Sequence, residues 1–77
     1  MKLHNRDVGG IYRYRGVTVK SEGYRVDGDN FAVRNAAGNH ATVPIALLED
    51  ATEDQQTEYL ATEVQCHGTY GQIEWSN

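Results

Sequence analysis

Between Ile11 and Leu48 the chain is written in short alternating runs, and that pattern restricts the fold more than any other feature. Tyr12-Arg13-Tyr14-Arg15 alternates aromatic and cationic side chains, the period of two that a half-buried strand shows. Gly16 interrupts it, and Val17-Thr18-Val19-Lys20 alternates again. Ser21-Glu22-Gly23 has the composition of a turn. Tyr24-Arg25-Val26 resumes the alternation, and Asp27-Gly28-Asp29-Asn30 reads as a second turn, with Asp-Gly suited to positive φ. Phe31-Ala32-Val33-Arg34, the turn Asn35 to Asn39, and His40 to Val43 complete the series. The expectation is a mainly β or α+β fold: a small antiparallel sheet, or a small barrel, of five to six short strands.

The phase of the alternation carries the functional information. Tyr12, Tyr14, Val17, Val19, Tyr24, Val26, Phe31, Val33 and Val43 fall on one set of positions, and Arg13, Arg15, Lys20, Arg25 and Arg34 on the other. A register that buries the first set exposes the second, because a slip by one residue inverts both. The outer face of the sheet is therefore predicted to be basic.

Beyond the strands the composition changes sign. Residues 1–40 hold all 7 Lys and Arg against Asp7, Glu22, Asp27 and Asp29, whereas residues 41–77 hold Glu49, Asp50, Glu53, Asp54, Glu58, Glu63 and Glu74 and no Lys or Arg. The net charge of −4 hides this split. It implies either two separate contact surfaces or two halves that neutralise each other across the fold. Pro44 suits the first position of a helical turn, so Ile45-Ala46-Leu47-Leu48 reads as a single 3₁₀ or α turn that sends Ile45 and Leu48 inward. Thr52-Glu53-Asp54-Gln55 is a capping box, and Glu53 and Asp54 suit the positive end of the helix dipole. The predicted helix runs from Glu53 to about Val64, with a thin apolar stripe of Tyr59 or Leu60 and then Val64. Tyr70 to Trp75 alternates again and reads as a last strand, with Gly71, Ile73 and Trp75 in one phase.

Phe31-Ala32-Val33, then Gly38, then Pro44-Ile45-Ala46-Leu47-Leu48-Glu49 resembles the closing part of SH3-like small β-barrels. There a strand, a turn, a strand and a one-turn 3₁₀ helix follow in this order. The resemblance spans Phe31 to Glu49 and implies a fold rather than an activity. It also looks like the tail of the short plasmid-borne dihydrofolate reductases, which are SH3-like tetramers. Those bind substrate through a Val-Gln-Ile-Tyr run before the proline. Here that run is His40-Ala41-Thr42-Val43, so their function is not carried over. The helix and strand after Glu49 depart from a plain SH3-like barrel and leave open a sheet with one helix against it.

With 77 residues the chain fits one domain, residues 1–77, with one modest core. A homo-oligomer remains open, because a core of this size gains from a partner. No apolar run approaches the ~20 residues of a membrane span, and Met1 to Asp7 lacks the apolar stretch of a signal peptide. The single Cys66 permits no internal disulfide. A soluble, cytoplasmic protein without a membrane partner is expected.

Little in the chain suits catalysis. His4, His40 and His67 and the adjacent Cys66 show none of the paired spacings of a zinc site, and neighbours on a strand point apart. Asp27-Gly28-Asp29 departs from a calcium loop at Phe31 and Ala32, where an EF-hand needs an acid and a glycine. Gly9-Gly10 could form an anion nest but lacks the spacing of a phosphate loop. Neither enzyme activity, nor a metal, nor a cofactor is expected.

Two binding functions remain. In the first, a protein partner meets the acidic face of Glu49, Asp50, Glu53, Asp54, Glu58 and Glu63, with Tyr59, Tyr70 and Trp75 as aromatic anchors. The size and acidity are similar in general character to the small inhibitors that phages and mobile elements direct against host defence complexes, of anti-CRISPR or anti-restriction type. In the second, Arg13, Arg15, Lys20, Arg25 and Arg34 bind nucleic-acid phosphates or an acidic partner. The tyrosines share the core phase and the pI is about 5.1, and both count against nucleic acid.

Overall fold

A computed structural model of the chain describes residues 8–24, 29–64 and 71–76, without the side chain of Tyr24. Five strands form one antiparallel sheet: β1 (Ile11–Tyr14), β2 (Val17–Tyr24), β3 (Asn30–Asn35), β4 (His40–Pro44) and β5 (Glu49–Asp50). Their order across the sheet is β4-β3-β2-β1-β5. The first four strands follow each other as a meander. A 3₁₀ turn at Ile45–Leu47 then carries the chain back, so that Tyr12 faces Asp50 and Arg13 faces Glu49. One helix, α1 (Glu53–Thr62), follows.

Local chemistry explains the turns. β1 and β2 are joined by Arg15-Gly16, both at positive φ (49° and 81°), as a two-residue hairpin of the twisted kind requires. β3 and β4 are joined through Asn35 to Asn39. The Gly38 N–H donates to the Asn35 carbonyl, and Gly38 takes the left-handed conformation (φ 94°) that closes a three-residue hairpin.

The turn expected at Ser21-Glu22-Gly23 is instead the interior of a single long strand. The pairing of β2 with β3 passes from Ser21 opposite Val33 to Gly23 opposite Ala32, so Glu22 is the extra residue of a β-bulge. Ser21 is buried, but its polar groups are matched. The Gly9 N–H donates to both the carbonyl and the Oγ of Ser21, and the Ser21 N–H donates to the Gly10 carbonyl. The Gly9 N–H is thus used inside the fold rather than held out for an anion. The Asp27-Gly28 turn, Arg25, Val26, Cys66, His67 and Tyr70 lie outside the described residues.

Among the described residues, the alternation places its apolar set in or against the core. Tyr12, Val19, Phe31, Val33, Val43, Ile45, Leu48 and Ile73 form the core, with Tyr14, Val17, Ala41 and Trp75 packed against it. The 3₁₀ turn buries Ile45 and is followed by buried Leu48, as its apolar spacing predicts.

Helix α1 starts on the expected capping box. The Gln55 N–H donates to Thr52 Oγ1 at 3.1 Å, and the Thr52 N–H donates to Gln55 Oε1 at 2.9 Å. The helix is shorter than expected. Glu63 leaves the helical conformation (φ −67°, ψ 140°), and the Val64 N–H donates to the Ala36 carbonyl of the β3–β4 turn. Only Tyr59 is buried on the helix, while Leu60 is exposed.

The last segment, residues 71–76, forms no strand ladder. It makes one parallel bridge, Gln72 with His40, then buries Ile73 and ends with the Ser76 N–H donating to the Arg15 carbonyl. It therefore runs from the start of β4 to the tip of the first hairpin.

Candidate functional site

Two of the five expected cations, Lys20 and Arg34, form a row with His40. Lys20, Arg34 and His40 stand directly opposite one another on β2, β3 and β4. Like charges in such cross-strand positions repel. Two carboxylates bracket the row. Glu63, released from the end of α1, places Oε2 at 3.0 Å from Arg34 Nη2 and Oε1 at 3.9 Å from Lys20 Nζ. Glu22, set out of register by the bulge, places Oε2 at 3.4 Å from Arg34 Nε and Oε1 at 3.2 Å from His40 Nε2.

The centre of this network is nearly dry: the Arg34 and Glu63 side chains are 11% and 12% exposed. Buried Arg34 Nε meets Glu22 as an ion pair without the geometry of a hydrogen bond. The Tyr59 hydroxyl donates to the Arg34 carbonyl at 2.8 Å, which seats α1 on the outer face of the sheet. Burial pushes the Tyr59 phenol up to about 12, against the opposing pull of the Arg34 charge.

The expected site residues thus fall into distinct groups. Lys20, Arg34 and Glu63 are joined to each other, so part of the predicted basic face is covered by part of the predicted acidic face. Tyr59 is buried and fixes the helix to the sheet. The remaining acids, Glu49, Asp50, Glu53, Asp54 and Glu58, are all exposed and follow one another from β5 through the first turns of α1. Arg13 donates to Thr18 Oγ1 at 3.0 Å and faces Glu49 across the β1–β5 pair. Arg15 is exposed at the hairpin tip.

Two recesses adjoin these elements. One, of about 310 Å³, lies between α1 and the turns of the two hairpins, with Arg13, Thr18, Asn35, Gln55, Glu58 and Tyr59 among its walls. The other, of about 250 Å³, lies between β4 and the C-terminal segment and is lined by His40, Ala41, Thr42, Gln72, Ile73 and Trp75. Trp75 is half-buried, its ring edge-on to Tyr14 at 5.0 Å between centroids. Sequence reasoning missed Glu22 and His40. Glu22 reads as a turn residue until its strand partner is known, and His40 carries no signal of its own.

Among the described residues, no helix is long and apolar enough to cross a membrane. Comparison with models of protein families, with curated proteins and with solved structures finds no match to this chain.

Proposed function

We propose that this protein is a small non-enzymatic interaction module that binds a basic surface of a partner protein through Glu49, Asp50, Glu53, Asp54 and Glu58. One observation carries the reading: the structure uses Lys20 and Arg34 internally, against Glu63 and Glu22, and leaves the acids of residues 49–58 exposed. The run from Glu49 to Glu58 holds five acids and no Lys or Arg, with Arg13 as the cross-strand neighbour of Glu49, and a net acidic surface steers a complementary partner and raises the rate of encounter. The recess beside Glu58 offers room for a partner side chain.

The order of elements supports an SH3-like architecture for this module: a four-strand meander, a 3₁₀ turn, and a last strand returning beside the first. In its specific form the reading is an inhibitor of a host defence or nucleic-acid-processing complex, encoded by a phage or mobile element. Such complexes carry basic grooves, and size and acidity support this form. The nucleic-acid reading is weakened because carboxylates already engage Lys20 and Arg34.

Affinity capture from a bacterial lysate, with and without nuclease, tests the proposal. A partner that survives nuclease, and is lost when Glu49, Glu53, Asp54 and Glu58 are changed to Lys, is the expected result. Retention of that partner by the charge-reversed protein contradicts it. For the inhibitor form, loss of defence in an interference assay with the wild-type protein, and not with the variant, is expected.

A further inference from the structure

The recess of about 310 Å³ between α1 and the hairpin turns is walled by polar side chains that the fold leaves uncommitted. Arg13 is half-buried there, with Thr18 on β2 and Glu49 on β5 as its cross-strand neighbours. The guanidinium takes the neutral neighbour. Its Nη1 donates to Thr18 Oγ1 at 3.0 Å, and no carboxylate among the described residues forms an ion pair with it. Lys20 and Arg34, by contrast, are held against carboxylates. Gln55 stands on the helix side of the recess. Its Oε1 accepts from the Thr52 N–H, so the capping box fixes the carboxamide, while its NH₂ group donates to no described residue. Glu58 follows three positions later on the same side of α1, and its carboxylate pairs with no described cation, Arg13 included.

We propose that this recess binds a small zwitterion of the α-amino-acid type. Its carboxylate sits between the Arg13 guanidinium and the Gln55 NH₂ group, and its ammonium on Glu58. A guanidinium with most of its N–H donors unused is a fork for a carboxylate. Both signs in one recess disfavour a ligand of either sign alone, because Glu58 repels a simple anion and Arg13 repels a simple cation. The volume lies at the small end of ligand sites, which run from roughly 300 to 1,000 Å³. Val17, Ala36 and Ala37 supply an apolar wall for a short aliphatic side chain. The inference stands without the acidic-surface reading, with which it shares Glu58.

The probes are L-leucine, its methyl ester, which keeps only the positive charge, and N-acetyl-L-leucine, which keeps only the negative one. Each is titrated into the full chain and followed by amide shifts. The expected result is a saturable shift at Thr18, Ala37 and Glu58 with leucine. The ester and the N-acetyl form should each bind about tenfold more weakly or worse, the loss of one charge-assisted contact. Arg13→Gln should erase the preference for leucine over its ester, and Glu58→Gln the preference for leucine over the N-acetyl form. The comparison of the three probes on the wild-type chain stands even if either variant unfolds.

Absence of a saturable shift with leucine, or equal binding of the three probes, overturns the proposal. An ester that binds as tightly as leucine makes this a cation site, which overturns the zwitterion and leaves the acidic-surface reading intact. An N-acetyl form that binds as tightly makes it an anion site and overturns it too. So does a preference for leucine that survives in both folded variants.

Discussion

Arg34 is the residue on which most of the polar structure converges: Glu63 and Glu22 flank its guanidinium, and its carbonyl anchors Tyr59. Removing Glu63 leaves the nearly buried Arg34 charge with only the more exposed Glu22 beside it. Glu63→Gln should therefore cost about 2–3 kcal/mol in denaturant unfolding. Replacing both partners together, Arg34→Met with Glu63→Leu, should cost less than either change alone, because no orphaned charge remains. A loss below about 0.5 kcal/mol for Glu63→Gln would place that pair among ordinary surface contacts. Arg15 makes a contrasting case. It is the one described residue other than glycine with positive φ, at a hairpin position that favours Asn. Arg15→Asn should stabilise the fold by about 1 kcal/mol, a rise in Tm of about 4–8 °C in a domain of this size. Tyr59 brings a pH dependence. Its phenol is raised from 10.0 to about 12 in the fold, so its contribution is complete below pH 10 and is lost as pH rises towards 12. Spectroscopic titration should show Tyr59 ionising late, and Tyr59→Phe should remove that step.

Among the elements, the strands and the helix start were legible in the sequence, for physical reasons that particular residues display. Alternation at Tyr12 to Val43 reports burial directly, and the Thr52–Gln55 box is a local motif complete within one turn. Thr52→Ala should accordingly cost about 1 kcal/mol. Ser21-Glu22-Gly23 was not legible, because bulges and turns draw on the same residue types, and only the partner strand distinguishes them. Glu49-Asp50 was not legible as a strand either. Its pairing is set by β1 and not by any apolar pattern of its own, and two charged residues also blunt that edge of the sheet. The C-terminal segment keeps the phase that its alternation suggests for Ile73 and Trp75, but its course is set by its attachments at His40 and Arg15. Ile73 is its anchor in the core, and Ile73→Ala should cost about 2–5 kcal/mol.

On the scale of the molecule, the charge split was plain in the sequence, while its resolution was not. Which acids meet which bases depends on how α1 lies on the sheet, and contacts such as Lys20 with Glu63 join residues far apart in the chain. The proposed function requires that internal pairing quiet the basic row and leave the acids of residues 49–58 as the surface that binds. Amide shifts on titration with a lysine-rich peptide, and separately with a single-stranded oligonucleotide, test this most directly. The peptide is expected to shift residues 49–58, and the oligonucleotide is expected to shift nothing near Lys20 and Arg34. Salt-sensitive oligonucleotide shifts at Arg13, Lys20 and Arg34, with none from the peptide, would contradict it.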